Sequence, residues 1–318
     1  MIVVTGGAGF IGSNLIWELN RGGERQIVLV DRLDTPFKHF NLNRLHIVDL
    51  IDYADHAAVE RSCRTADAIF HLGACTDTTE TDGRYLVENN FTCSKRLLHL
   101  ALKRTIPFIY ASSAAVYGDG AGGFSEERRC EYPLNLYAFS KHVFDNHVRQ
   151  LLGARSPIVG IRYFNVYGPQ EQHKGRMASV ALHLFNQARA EERELRLFEG
   201  SPDFRRDFVL VDDAVRVTLW AYRAGVSGIF NCGTGTARSF FDVAAILQRL
   251  EGNEVPIRFI PFPSELRGTY QTLTEADLTR LRHAGYAEPF TSLEQGMARY
   301  HALLARNGGY LPAPDAAW

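Results

Sequence analysis

The sequence predicts an α/β fold built on a doubly wound parallel sheet, with a smaller α/β domain beside it. Three observations carry this: short apolar runs rich in β-branched residues recur along the first half of the chain, amphipathic helical stretches separate several of them, and a glycine cluster sits between the first run and the first helix. Met1–Thr5 is the first strand and Ser13–Arg21 the first helix. Gln26–Asp31, Leu45–Leu50, Ala66–Ala74, Pro107–Ser113 and Pro157–Phe164 are further near-continuous apolar runs, the pattern of strands covered on both faces. Tyr85–Lys103 and Tyr137–Leu152 supply helices between them. After Gly168-Pro169 the alternation lapses, and a polar loop, a helix over Ser179–Arg193 and a short segment, Leu195–Gly200, open a second region. Phe208–Val211 and Ile229–Gly233 each lead into a helical pattern, so the chain is expected to return to the sheet. The expected division is a first domain over 1–168 with a return near 207–246, a second mainly over 169–318, and a loosely held tail from about 308.

With 46% hydrophobic and 22% charged residues, the chain can bury a large core and needs neither disulfides nor metal to fold. Intrinsic disorder and a small disulfide scaffold are excluded. Thirty-five Lys and Arg against 36 Asp and Glu leave a formal net charge of −1, which offers no footprint for nucleic acid. The five cysteines, Cys63, Cys75, Cys93, Cys130 and Cys232, are odd in number and never form a C-x-x-C pair, so reduced, mostly buried thiols are expected. No apolar run approaches the ~20 residues of a membrane span, and the first residues lack a basic leader. A soluble, cytoplasmic protein without a membrane partner is expected.

Gly6, Gly7, Gly9 and Gly12 satisfy both G-x-x-G-x-x-G and, from Gly7, G-x-G-x-x-G. The position, between a first strand and a first helix, is what the chemistry requires: missing side chains let the backbone approach a pyrophosphate, and the helix N-terminus aims its N–H groups at that charge. This is a Rossmann-type dinucleotide site. Asp31 ends the second strand about twenty residues on, where a carboxylate accepts hydrogen bonds from an adenosine ribose and favours NAD. Arg32 and Lys38 are placed to meet a 2′-phosphate and tip the balance to NADP. NAD stays open.

Tyr137 and Lys141 share one helix face through their i, i+4 spacing. A phenol with a pKa near ~10 is a poor base at neutral pH, and a neighbouring ammonium together with a cationic nicotinamide ring would have to lower it by ~3 units. Ser113 ends the fifth apolar run at the carboxyl edge, where open α/β sheets collect ligands, and its hydroxyl could orient a substrate alcohol.

The glycine turn, ASSAAVYG (Ala111–Gly118), YAFSK, RYFNVYGP (Arg162–Pro169), RRDFVLVDD (Arg205–Asp213) and FNCGTG (Phe230–Gly235) resemble the extended short-chain dehydrogenase/reductase superfamily over nearly the whole chain. Within it, GACTDTTETDG (Gly73–Gly83), HKGRMASVALH (His173–His183), LFEGSPDFRRDFV (Leu197–Val209) and TYQTLTEADL (Thr269–Leu278) are most similar to the ADP-L-glycero-D-manno-heptose 6-epimerase family. The resemblance implies a cytoplasmic, NADP-dependent isomerase acting on the ADP-heptose of lipopolysaccharide core, in a homo-oligomer, a pentamer. It assigns Ser113, Tyr137, Lys141 and Lys174 to catalysis, with Lys174 as a second acid/base. For the cofactor it implies Gly6, Gly9, Phe10, Ile11, Gly12, Asp31, Arg32, Lys38, Leu72, Gly73, Ala74, Cys75, Thr76, Asn89, Val166 and Lys174, besides Tyr137 and Lys141. For the substrate it implies Ser113, Asn165, Arg176, His183, the stretch Phe198, Glu199, Gly200 and Ser201, then Arg206 and Tyr270. Arg206 has the clearest rationale, because a guanidinium fork grips a diphosphate at two points.

Three positions depart from the family pattern: Leu72 replaces an acidic residue, Arg176 a small hydroxyl residue, and Tyr53 a lysine near the cofactor phosphate. The competing readings are another nucleotide-sugar epimerase, such as a UDP-hexose 4-epimerase, and a non-catalytic NADP-binding protein. The HKG loop and LFEGSPDF count against the first, and intact Ser113, Tyr137 and Lys141 against the second. A 4,6-dehydratase would need acid/base side chains where Ala114 and Ala115 stand.

Overall fold

The computed structural model describes residues 1–263 and 271–315. Its centre is a seven-stranded sheet of β1 (Ile2–Thr5), β2 (Ile27–Asp31), β3 (Asp49–Asp52), β4 (Ala68–His71), β5 (Phe108–Ser113), β6 (Ile158–Tyr163) and a last strand, Gly228–Cys232. All its pairings are parallel, in the spatial order β3-β2-β1-β4-β5-β6 with Gly228–Cys232 at the far edge. That is the doubly wound order, and the chain reverses direction across the sheet between β1 and β4.

Alternate residues feed the two faces. Ile2, Val4, Ile27, Leu29 and Phe70 pack against α1 (Phe10–Arg21) and against the later helix Val211–Ala224. Val3, Val28, Val30, Ile69 and Phe108 face α2 (His56–Cys63), a helix at Cys93–Arg104 and another at Leu136–Arg149. This period of two, apolar in both phases, is why the strands read as continuous hydrophobic runs.

The stretch read as one helix over Tyr85–Lys103 is three pieces: α3 (Gly83–Leu86), a π-helical turn at Val87–Thr92, and α4 (Cys93–Arg104). α5 (Leu136–Arg149) starts where the Asn135 side chain accepts from Ala138 N at 2.8 Å. Beyond β6 the chain forms β7 (Asn165–Tyr167), α6 (Val180–Arg189), β8 (Leu195–Phe198), β9 (Arg205–Arg206) and β10 (Phe208–Leu210). It returns through α7 (Val211–Ala224) to β11 (Gly228–Cys232) and continues as β12 (Arg238–Ser239), α8 (Phe240–Leu250), β13 (Ile257–Ile260), α9 (Thr279–His283) and α10 (Leu293–Asn307). A second core gathers Leu182, Phe185, Leu195, Leu197, Val243, Leu247, Met297 and Tyr300 from α6, β8, α8 and α10.

Three expectations are corrected. The edge strand β3 lies at Asp49–Asp52 rather than Leu45–Leu50, because Leu45 and Ile47 pack into the core from a loop and leave Asp49 to pair with Val28. Phe208–Leu210 does not rejoin the main sheet but pairs with Asn165–Tyr167, while Gly228–Cys232 does rejoin it beside β6. Within the stretch expected to be a loose tail, residues 309–312 are held: Gly309 O accepts from Gln170 N at 2.9 Å, Trp17 Nε1 donates to Pro312 O at 2.8 Å, and Leu311 is buried. Among the described residues no helix is long and apolar enough to cross a membrane.

Candidate active site

The glycine turn joins β1 to α1 at the carboxyl edge of the sheet. Gly6 has φ +69°, and a Cβ there would lie 2.5 Å from Gly73 N, so the turn and the segment after β4 touch backbone to backbone. At Gly12 a Cβ would lie 2.1 Å from Gly6 O. The N-cap of α1 is Gly9, with no side-chain cap, which leaves the first-turn N–H groups for an anion. A bare, uncapped helix N-terminus at the switch point between β1 and β4 fits a dinucleotide pyrophosphate.

Asp31 accepts from Ala8 N at 2.8 Å, from Arg32 N at 2.7 Å and from Lys38 Nζ at 2.6 Å. The Arg32 guanidinium lies 5.4 Å from the centroid of the Tyr53 ring. The carboxylate is therefore paired, and two cations stand beside it. Phe10 and Ile11 open α1; Gly73, Ala74, Cys75 and Thr76 follow β4, with Leu72 packed at the edge of the core. Val166 lies in β7, also against that core.

Ser113 and Tyr137 share a hydrogen bond, and Lys141 stands one turn beyond Tyr137 on α5. Ser113 ends β5 and caps the short turn Ala114–Tyr117, accepting from Ala115 N at 3.2 Å. Tyr137 and Lys141 stand on α5, both buried, and Lys141 Nζ donates to Ala111 O at 2.9 Å. Burial pushes the Tyr137 phenol above its ordinary value, while its hydrogen bond with Ser113 works in the opposite direction. The protein alone thus does not supply the lowered phenol expected from the Lys141 spacing, because desolvation outweighs the opposing hydrogen bond of Ser113. Burial also lowers Lys141, to about 8, against the opposing charge of Asp145.

A buried polar frame behind this trio escaped the sequence reading. Asp145 accepts from Tyr110 Oη at 2.8 Å, Ser112 Oγ at 2.9 Å and Arg162 Nε at 2.9 Å, tying α5 to β5 and β6. Asn90, from the π-helical turn, accepts from Cys75 N at 2.8 Å and donates to Cys75 O and Ser140 Oγ, each at 3.0 Å. One amide thereby holds the cofactor segment against the helix that carries Tyr137. Asn89, the residue implied by resemblance, is half-buried and donates to Asn90 Oδ1 at 3.1 Å.

On the substrate side, Asn165 Oδ1 accepts from Thr274 Oγ1 at 3.3 Å, and Asn165 N donates to Asp207 O at 3.0 Å, which sets it beside Arg206. Arg206 is buried; it donates to Arg205 O at 2.9 Å and to Gln271 O, with its guanidinium 5.5 Å from the Phe240 ring centroid. Gln271 in turn donates to Gly118 O, linking this group to the turn after Ser113. Glu199 and Gly200 are exposed, Phe198 is half-buried, and Ser201 is buried with its hydroxyl on Phe198 O. His183, on α6, contacts Arg176 O at 3.3 Å. Lys174 Nζ lies 5.0 Å from the centroid of Phe10 at the start of α1. Arg176 pairs with Asp77 Oδ2 at 2.6 Å and Thr79 Oγ1 at 2.8 Å. Tyr270 lies outside the described residues. Among the described residues no group of three or more His, Cys, Asp or Glu could hold a metal ion.

Comparison with known proteins agrees with this geometry. A curated ADP-L-glycero-D-manno-heptose-6-epimerase from Brachyspira hyodysenteriae is 50% identical over 319 residues, covering 98% of this chain and 100% of its own. The crystal structure of Helicobacter pylori ADP-L-glycero-D-manno-heptose-6-epimerase matches with a TM-score of 0.84 at 31% identity, over 96% of each chain. UDP-glucuronic acid 4-epimerase from Bacillus cereus, in complex with UDP-glucuronic acid and NAD, matches with a TM-score of 0.81 at 25% identity, over 96% of this chain and 99% of that one. The family model for the NAD dependent epimerase/dehydratase family matches residues 2–233. The family model covers most of the chain and the Brachyspira relative covers nearly all of it, so the chain belongs to the NAD dependent epimerase/dehydratase family.

Proposed function

We propose that this chain is a redox epimerase that inverts C6 of ADP-D-glycero-D-manno-heptose to ADP-L-glycero-D-manno-heptose through a transient ketone, a step toward lipopolysaccharide core. The convergence of Ser113, Tyr137 and Lys141 beside the dinucleotide crevice carries the reading, and the 50% identity to the Brachyspira epimerase supports the sugar. When bound, the dinucleotide supplies the hydride acceptor that oxidises the sugar carbon and then reduces it on its other face. Ser113 orients the C6 hydroxyl and Tyr137 takes its proton. Lys141 holds the ribose side of the crevice and supplies the nearby positive charge that the phenolate needs.

Lys174 is the second acid/base in this reading, and its place against Phe10 also suits an anionic cofactor. Arg206 grips the diphosphate, with Asn165, His183, Tyr270 and the Phe198–Ser201 turn around the sugar nucleotide. NADP is favoured over NAD because Lys38 neutralises Asp31, which would otherwise repel a 2′-phosphate, and Arg32 stands next to it. Residues 1–168 with α7 and β11 form the dinucleotide-binding part, and most of the remainder the substrate part. A cytoplasmic homo-oligomer, a pentamer, completes the reading; exposed Tyr85, Val87, Leu136 and Phe139 on α3, the π-helical turn and α5 supply apolar surface for association.

The test incubates purified protein with ADP-D-glycero-D-manno-heptose and, separately, UDP-glucose, separates the epimers, and identifies the dinucleotide released on denaturation. The ADP-heptose is converted and NADP is released. Conversion of UDP-glucose alone would transfer the reading to a UDP-hexose 4-epimerase, and release of NAD alone would reverse the cofactor choice.

A further inference from the structure

The loop from Gly168 to Ser179 crosses the dinucleotide crevice and touches both of its walls. Its base is fixed by one buried carboxylate: Glu171 accepts from Gly168 N at 3.3 Å, from Ser179 N at 2.6 Å and from Ser179 Oγ at 2.6 Å. On the β1 wall, Lys174 Nζ lies 5.0 Å from the Phe10 ring centroid. There too, the Asn41 side chain donates to Ala8 O at 3.0 Å and to Gln170 O at 3.1 Å and contacts His173 Nδ1 at 3.2 Å. On the β4 wall, Arg176 donates to Asp77 Oδ2 at 2.6 Å and to Thr79 Oγ1 at 2.8 Å. Asp77 directly follows the cofactor segment Gly73–Thr76.

Between the two walls sits Gly175, at φ +53° and ψ −126°, which breaks the short helical turn Gln172–Met177. A Cβ at Gly175 would meet nothing within 4 Å, so its glycine serves backbone freedom rather than space. The loop therefore has a fixed base, a pivot and a solvent-accessible tip, with the Arg176 side chain 68% exposed.

We propose that residues 171–177 are a strap over the bound dinucleotide and that Arg176, through Asp77 and Thr79, is its latch and a positioning residue that sets how fast the cofactor leaves. This rests on the cofactor reading above. A cycle in which the cofactor is first reduced and then reoxidised on one substrate molecule cannot release it half-way without stranding a ketone, so a retention device suits the chemistry. The Arg176 guanidinium is committed to the β4 wall, which gives it this role in place of the substrate contact implied by resemblance. Opening the strap breaks the Arg176 contacts and turns at Gly175, while Glu171 keeps the base closed.

The experiment loads the full-length protein with NADPH, mixes it with excess NADP, and follows the loss of bound-nicotinamide fluorescence in wild type, Arg176→Asp, Asp77→Arg and the double reversal. Each single reversal speeds release by about 5-fold, the scale of a partly exposed ion pair, and the double reversal brings it back toward wild type. Raised ionic strength speeds release from wild type and not from the singles. Singles that release at the wild-type rate, or a double no slower than the singles, overturn the strap while leaving the cofactor reading intact. Wild-type protein that takes up neither NADPH nor NADH overturns the cofactor reading itself, and the strap with it.

Discussion

Replacing Gly12 by alanine tests the dinucleotide turn with a single methyl group. The new Cβ would stand 2.1 Å from Gly6 O and 2.9 Å from both Gly6 C and Gly7 Cα, all backbone atoms, where ordinary contact begins at 3.4 Å. The turn and the first turn of α1 must part by about 1 Å, and the overpacking costs about 1–3 kcal/mol of stability. Because the displaced groups are those that face the pyrophosphate, NADPH affinity falls by about 10–100-fold, the scale of a 1 Å misplacement in a binding constellation.

Gly9 supplies the control. Its φ of −76° and ψ of −179° suit alanine, and its Cβ would meet only Gly6 O, at 3.1 Å. Gly9→Ala should cost less stability than Gly12→Ala, about 1 kcal/mol or under for an N-cap alanine, and still lose affinity because its methyl group enters the ligand's space. Thermal melts and NADPH fluorescence titrations of the two variants make the comparison. Wild-type affinity in Gly12→Ala, or in Gly9→Ala, would refute the placement of the pyrophosphate at this turn.

Tyr137→Phe should keep the fold and the cofactor yet lose turnover by about 10²-fold or more; near-normal turnover removes the phenol from proton transfer. Lys141, lowered to about 8 from 10.5, gives up its proton in the folded protein before it does in the unfolded chain, so the bare protein gains stability as pH rises between those values. Dinucleotide affinity moves the other way over the same range, weakening by up to about tenfold per pH unit, and a calorimetric titration that shows a flat profile above pH 8 would contradict this. Asn90→Ala leaves the half-buried Cys75 N and Cys75 O without their amide partner, while Ser140 Oγ keeps Tyr137 O, and should cost about 1–3 kcal/mol in denaturant unfolding, against under ~0.5 for a surface asparagine.

The strands and the glycine turn were legible because burial on both faces leaves an unmistakable apolar run and because Gly6 and Gly12 stand where only a missing Cβ allows the approach. The edge strand was misplaced for the converse reason: in Asp49–Asp52 only Ile51 is buried, so the apolar run just before it drew the prediction. Asn90 was missed because the π-helical turn at Val87–Thr92 inserts an extra residue, and the helical period of the flanking segments no longer says which asparagine faces inward. The same limit applies to Asp145 and Arg162, whose pairing joins α5 to β6 across seventeen residues with no motif in common. Phe208–Leu210 has the composition of a central strand, but its partner is chosen by the chain path out of β6, which local pattern does not encode. Lys174 and Arg176 were read from resemblance alone; their distances to Phe10 and Asp77 depend on a loop that only the folded chain closes, through Glu171.

The central claim is that the hydrogen at C6 leaves and returns through the cofactor rather than through solvent. Epimerisation of ADP-D-glycero-D-manno-heptose in D2O, followed by proton NMR of the recovered ADP-L-glycero-D-manno-heptose, tests it directly. Transfer to and from a retained dinucleotide predicts full protium at C6 after complete conversion. Deuterium at C6 would mean that the carbon is deprotonated into exchange with solvent, and would contradict a redox epimerase built on Ser113, Tyr137 and Lys141.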